Sequence, residues 1–192
     1  NQGEYEEAKA YYQKALKIYV SKLGEDHVNV AMSYGNNLGA VAYDQGEYEE
    51  AKAYHQKALK IRVSKLGEDH VSVAGSYNNL GNVADSQGEY EEAKTYYQKV
   101  LKIYVSKLGE DHVSVAMSYN NLGAVANQQG EYEEAKAYYQ KALKIRVSKL
   151  GEDHVDVAAS YNNLGLVAQN QGEYEYEEAK AYHQKALKIY VS

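Results

Sequence analysis

The sequence predicts an all-α fold: an α-solenoid of antiparallel helix pairs. Three observations carry that expectation. The segment Gly-Glu-Tyr-Glu-Glu-Ala-Lys begins at Gly3, Gly46, Gly88 and Gly130, and returns at Gly172 with two extra residues, so successive starts lie 43, 42, 42 and 42 apart. A period of this length marks stacked repeats rather than one globular core. Within each copy, apolar residues recur at helical spacing. Between those stretches, two glycine-bearing breaks return in every copy, one reading Leu-Gly-Glu-Asp-His and one ending in Gln-Gly. A catalytic step needs a unique constellation of groups, and here almost every polar residue occurs four or five times. The pattern therefore argues against an enzyme.

The third copy shows the elements in order. Leu108-Gly109-Glu110-Asp111-His112 separates two helices, with glycine at the C′ position and Asp111 expected as the N-cap. Helix A follows over about 113–127, with Val115, Tyr119, Leu122, Val125 and Ala126 on one stripe. Gln129-Gly130 closes it. Helix B is expected over about 131–150. Glu131, Glu133 and Glu134 favour the positive end of its dipole, and Lys141, Lys144 and Lys149 lie toward the negative end. Ala135, Tyr138, Tyr139, Ala142, Ile145 and Leu150 form its inner face, and Gly151 stops it. The small residues Gly123, Ala135 and Ala142 let two helix backbones approach, while Tyr119 and Tyr139 fill the remaining space. The whole chain divides into a lone helix B over 1–24 and four helix A/B repeats over 25–67, 68–109, 110–151 and 152–192, about nine helices in one array.

Composition narrows the partners. Among 192 residues there is no proline, cysteine, tryptophan or phenylalanine, and tyrosine supplies all 22 aromatics. Disulfides and thiolate metal sites are excluded. A net charge of −6, from 27 acidic and 21 basic residues, argues against nucleic acid or an anionic membrane as the partner. No apolar run of membrane-spanning length occurs. The start Asn1-Gln2-Gly3 carries neither methionine nor a leader pattern. It reads as a fragment of a longer array, and a cytoplasmic location is expected.

Leu122-Gly123, Ala135, Tyr139 and Ala142 fall at the spacing of the tetratricopeptide signature. Leu38-Gly39, Leu80-Gly81 and Leu164-Gly165 repeat its helix A part. The phrase Ser-Tyr-Asn-Asn-Leu-Gly and the lengthened 42-residue unit resemble the kinesin-light-chain type of tetratricopeptide repeat. That resemblance implies a right-handed superhelix with helix A lining a concave groove. It also implies protein or peptide binding, with no catalysis and no cofactor. Three features depart from the family pattern. Val63, Val105 and Val147 stand where its proline would be. Tyr77, Tyr119 and Tyr161 replace its usual tryptophan. The loop reads His-Val at His70-Val71, His112-Val113 and His154-Val155 in place of His-Pro. Without proline in the first helical turn, a longer or more continuous passage from helix B to helix A becomes possible.

The period breaks twice. Gly35 is an extra residue inside helix A, where one insertion rotates everything after it by about 100° unless a bulge absorbs it. The intact Asn-Asn-Leu-Gly phrase that follows predicts such a bulge. Glu175-Tyr176 duplicates the preceding pair at the start of the last helix, where added residues are tolerated more easily.

Comparing copies within the chain locates a candidate binding face. Helix B barely varies, whereas helix A varies on one stripe. Met32, Gly75, Met117 and Ala159 share one position; Ala40, Asn82, Ala124 and Leu166 share another. Tyr43, Asp85, Asn127 and Gln169 follow, and then Asp44, Ser86, Gln128 and Asn170. Between them runs an unvarying ladder of Asn37, Asn79, Asn121 and Asn163, preceded by Asn36, Asn78, Asn120 and Asn162. An amide offers donor and acceptor together and can pair with the main chain of an extended peptide. The resemblance places such a use at the residue before Leu-Gly. The alternative is an asparagine that bridges adjacent helices or faces water. No lysine or arginine occurs on any of the four helix A stretches, so the expected ligand is an extended protein segment of neutral to mildly basic character.

Other polar groups read as structural. Asp26-His27, Asp69-His70, Asp111-His112 and Asp153-His154 sit one per repeat, too far apart to share a metal; a capping aspartate beside a loop histidine is expected, and no metal site. His55 and His183 replace Tyr12, Tyr97 and Tyr139, as interchangeable packed rings would. Tyr19, Arg62, Tyr104, Arg146 and Tyr190 exchange at one site, where an arginine stem could lie on the outer surface. Pairs such as Glu133 with Lys136, or Glu134 with Lys141, read as a solvated face. A second functional class is a structural array that self-associates end to end through apolar faces of its terminal helices.

Overall fold

The computed structural model describes residues 2–172 and 176–191, and the chain falls into two compact units, Asn1–Ile103 and Tyr104–Ser192. In the first unit, α1 (Gln2–Leu23) is a helix B. The following helix A is built from α2 (Val28–Met32), a π-helical segment (Ser33–Gly39) and α3 (Ala40–Asp44). Then come α4 (Tyr48–Leu66), α5 (Val71–Ser86) and α6 (Tyr90–Leu108), the last passing into the second unit at Tyr104. The second unit continues with α7 (Val113–Gln128), α8 (Tyr132–Leu150), α9 (Val155–Gln171) and α10 (Tyr176–Tyr190). Taking α2, the π segment and α3 as one helix, the described residues form the nine expected helices. The class is all-α, an α-solenoid of helix pairs.

The core follows the predicted stripes. Leu38, Leu80, Leu122 and Leu164 are each 1% exposed. Burying one such side chain stabilises by about 1.5–3 kcal/mol. In the first unit Val30, Ala31, Ala58 and Ile61 pack with Leu16, Val20 and Tyr34. In the second, Ala126, Ala135, Tyr139, Leu164 and Val167 pack with Tyr182.

The inserted Gly35 is absorbed as expected. The π segment takes up one residue, so Val30 and Ala31 before it, Ser33, Leu38 and Gly39 at its two ends, and Val41 and Ala42 after it all stay buried. The same face of α5 buries Val73, Ala74, Ser76, Leu80, Gly81, Val83 and Ala84. Gly35 itself turns toward α4. A Cβ there would lie 3.1 Å from the Ala58 Cβ, so the extra residue has little room to be larger. Of the second insertion, Glu175 lies outside the described residues, and Tyr176 opens α10.

Two expectations are corrected at the breaks. The N-caps are the histidines, not the aspartates before them. His27, His70, His112 and His154 are in extended backbone. Each Nδ1 accepts the backbone N–H two residues on, from Asn29, Ser72, Ser114 and Asp156, at 3.1 Å in every case. An imidazole Nδ1 is as many bonds from Cα as an aspartate Oδ1, so it can cap the same way. The passage from helix B to helix A also stays short despite the missing proline. Gly67 (φ 87°, ψ 157°) and Gly151 (φ 90°, ψ 160°) hold a conformation open only to glycine, and this stops each helix outright.

Lysines on helix B join one repeat to the next. Lys9 Nζ lies 2.6 Å from Glu50 and 3.1 Å from Glu47, and Lys52 lies 2.9 Å from Glu92 and 3.0 Å from Glu89. In the second unit, Lys136 reaches Glu178 of α10 at 2.8 Å rather than merely facing water. The hydrogen bond that Lys9 donates to Glu50 holds it well above the usual lysine range, and the one Lys52 donates to Glu92 does the same for Lys52.

Candidate functional site

In the first unit the variable stripe of helix A stays open. Met32 is 48% exposed, Asn36 and Asp44 are exposed, and Asn37, Ala40 and Tyr43 are half-buried. On α5, Gly75, Asn79, Asn82 and Asp85 are half-buried and Ser86 is exposed. Tyr43 and Ser86 hydroxyls meet at 2.8 Å, joining two helix A elements. Tyr97 of α6 donates to Asn82 Oδ1 at 2.8 Å, which fixes that amide.

The second unit carries a more apolar version of the same stripe. Met117 and Leu166 are 54% and 49% exposed. Ala124, Ala159, Asn121, Asn127 and Asn163 are half-buried, and Gln128, Gln169 and Asn170 are exposed. Asn163 Nδ2 donates to Asn120 Oδ1 at 2.8 Å, and Asn170 Nδ2 to Asn127 Oδ1 at 3.0 Å. These amides therefore bridge neighbouring helices. A bridge uses one donor of two and one acceptor lone pair of two, so each side chain keeps further capacity.

Arg62 and Arg146 correct another expectation. They do not lie on the outer surface; they are 6% and 9% exposed. Arg62 donates through Nη1 to Ser76 Oγ at 2.7 Å and through Nη2 to Asn36 Oδ1 at 3.1 Å. Arg146 Nη1 donates to Ser160 Oγ at 2.7 Å and to the Asp156 carbonyl at 3.2 Å. Burial pushes both guanidinium groups down from the ordinary arginine range. Helix A carries no cation in sequence, yet helix B delivers one to its edge. The signal that sequence reading missed was the column of buried serines, Ser33, Ser76, Ser118 and Ser160.

The Leu-Gly phrase is explained by rings on helix B. A Cβ at Gly39 would lie 2.7 Å from the His55 ring, and one at Gly81 would lie 2.6 Å from Tyr97. At Gly123 it would lie 2.9 Å from Tyr139, and at Gly165 2.7 Å from His183. The histidine and tyrosine rings thus occupy one packed site, as expected. His55 is 3% exposed, and burial, aided by the Arg62 charge, pushes it down to about 4. A second motif went unforeseen: tyrosine pairs with a lysine over them. Tyr34 and Tyr54 stack at 6.1 Å beneath Lys57, and Tyr119 and Tyr138 at 6.1 Å beneath Lys141.

Among the described residues no group of histidine and acidic side chains could hold a metal ion, and no helix is long and apolar enough to cross a membrane. What remains is a set of open, mainly amide-lined helix faces on a repeat scaffold. Tetratricopeptide repeat models match residues 34–106 and 114–191, and further models of that repeat match 1–29 and 78–149. The chain belongs to the tetratricopeptide repeat family. Its repeats resemble the kinesin-light-chain type in solved structures. BtubC (BKLC) from P. vanneervenii aligns with a TM-score of 0.87 at 25% identity, covering 99% of this chain and 74% of that one. A Podosopora anserina kinesin-light-chain-type protein of nearly identical TPR-like repeats aligns at 0.82 and 21% identity, covering 98% and 88%. The apo form of RapI aligns at 0.82 and 23% identity, covering 98% and 65%. No curated protein sequence matches the chain. A tetratricopeptide array is in general a non-catalytic protein-interaction scaffold.

Proposed function

We propose that this tetratricopeptide array, with helix A/B repeats bounded as read from the sequence, holds an extended segment of a partner protein against its helix A faces. The observation that carries the reading is the exposure of Met32 in one unit and of Met117 and Leu166 in the other, on faces otherwise made of amides and small residues. In each unit by itself, apolar side chains of a bound segment would cover Met32, or Met117 and Leu166, while Asn37 and Asn79, or Asn121 and Asn163, serve its main chain. Asp44 and Asp85 favour a basic side chain over the first unit. The Arg62 guanidinium is engaged internally by Ser76 and Asn36. This supports a neutral to mildly basic segment. No chemical step is assigned to the face.

Selection of random extended peptides by phage display on the full chain tests the reading. Peptides recovered on the native chain should lose at least tenfold in affinity on a Met117→Glu/Leu166→Glu variant that keeps its helical circular dichroism. Unchanged binding would sink the proposal. Self-association through α1 and α10 is the competing reading, resting on Ile18 and Leu187, each 60% exposed. It predicts light-scattering mass that grows with concentration and no selectable peptide.

A further inference from the structure

A cavity of about 710 Å³ opens between α1 and α4 in the first unit, apart from the helix A stripe. Leu16 and Val20 of α1 and Ile61 of α4 form its apolar floor, and helix A contributes Tyr34. Leu16, Val20 and Tyr34 pack against the cluster that holds Ile61 yet stay only half-buried, which leaves an apolar trough. Charge is divided along it. Lys17, Lys57 and Lys60 stand on its walls. Lys57 is steadied over the Tyr34 and Tyr54 rings, 5.2 and 5.8 Å from their centroids. Glutamates of the next repeat take up Lys9 and Lys52, whereas Lys17, Lys57 and Lys60 are exposed and meet no carboxylate among the described residues. Glu25 and Asp26, both exposed, close the other end. There Asp26 lies 4.0 Å from Lys65, and an exposed pair of that length is weak enough to open to a ligand.

The spacing of these charges fits one kind of occupant. Lys65 follows Lys57 by eight residues on α4, so the acidic end lies about 12 Å along the helix from the first lysine. In an extended chain, side chains at i, i+2 and i+4 point to one face, and the outer two stand about 13 Å apart. A segment with an acidic, an apolar and a basic residue at those positions meets the trough at three points. Its carboxylate falls among the lysines, its apolar side chain over Leu16, Val20 and Ile61, and its cation at Glu25 and Asp26. From this geometry we infer that the trough between α1 and α4 is a second docking site, which takes an extended acidic–apolar–basic segment of a partner protein. Either chain direction satisfies the match, provided the acidic residue lies toward the lysines. A ligand with negative charge alone would leave Glu25 and Asp26 unmet.

The test titrates an acetylated and amidated peptide, Glu-Ser-Leu-Ser-Lys, into the nitrogen-15-labelled full chain at low salt, where exposed charge pairs are least screened. Saturable amide shifts should cluster at 16–21 and 57–64. A Lys-Ser-Leu-Ser-Lys peptide should bind about fivefold more weakly, although the chain's net charge of −6 favours the more cationic peptide. A Glu-Ser-Ser-Ser-Lys peptide, lacking the apolar anchor, should give no saturable shift. Lys17→Glu/Lys60→Glu should reverse the preference between the two leucine peptides. Both lysines are exposed, so the variant should keep its helical circular dichroism. Met117→Glu/Leu166→Glu should leave the binding unchanged, which lets this site and the helix A reading fail separately. Absence of saturable shifts, shifts confined to the helix A stretches, equal binding of the two leucine peptides, or a preference that survives Lys17→Glu/Lys60→Glu would each overturn the inference.

Discussion

Replacing Gly75 and Gly81 by alanine, one at a time, applies a single chemical change twice within α5, with opposite expected outcomes. Both residues are helical, and alanine in place of glycine favours a helix by about 0.8–1 kcal/mol. At Gly75 nothing lies within 4 Å of the added Cβ, so that gain should appear undiminished; Ala159 already occupies the same position in the last repeat. At Gly81 the Cβ would lie 2.6 Å from Tyr97 Cε1, 2.9 Å from Cδ1 and 3.0 Å from Cζ. The ring is 3% exposed and has nowhere to retreat. Overpacking of this kind costs about 1–3 kcal/mol. Displacing the ring also strains its 2.8 Å bond to Asn82, worth about 1 kcal/mol. Less the helical gain, Gly81→Ala should destabilise by about 1–3 kcal/mol. Each kcal/mol moves the melting midpoint of a chain this long by about 2–4 °C. Circular dichroism melts at 222 nm should therefore shift up by a few degrees for Gly75→Ala and down by several for Gly81→Ala. Two upward shifts of similar size would refute the ring-on-glycine packing argued here.

Three further outcomes follow from the same contacts. His55 is held near 4 when folded, whereas an ordinary histidine titrates near 6.5. The stability it contributes is full above about 6.5 and lost as the pH falls to about 4, roughly 3 kcal/mol at most. His55→Tyr, matching Tyr97, should cancel that part of the pH dependence in urea melts between pH 7 and 4.5. Deleting Gly35 should convert the π segment into regular α-helix with stability unchanged or higher, seen as slower amide exchange across 33–39; faster exchange there would contradict the bulge account. Arg62→Ala should cost about 2–4 kcal/mol, by leaving a cavity and depriving Ser76 and Asn36 of a donor. Arg62→Tyr should cost less, since Tyr104 occupies that site in the next repeat.

The helices were legible because their cause is local. The 42-residue period, the Val-Leu-Val stripe and the glycine stops each act within one turn or one hairpin, and the Gly35 bulge followed from a single displaced register. The caps were read to the wrong residue because aspartate and histidine stand side by side, and both reach the same N–H. Arg62 was placed outside because its partners lie fourteen residues on, at Ser76, and on a different helix, at Asn36. The lysine staples were invisible for the same reason, since Lys52 finds Glu89 and Glu92 only after the next hairpin has folded back. On the candidate face, the sequence identified a varying stripe that is half-buried to exposed. It did not separate amides that bridge helices, such as Asn163, from amides that face outward, because that depends on the spacing between adjacent helices.

The chain has two methionines, and both lie on the variable stripe, Met32 in one unit and Met117 in the other, about half exposed. Their methyl resonances give one reporter for each helix A face. Titration of a carbon-13 methyl-labelled chain with a phage-selected peptide should shift one or both signals in saturable fashion, with the same midpoint as binding measured by calorimetry. Saturable binding that leaves both methyls unmoved would place the partner on another surface and contradict the account.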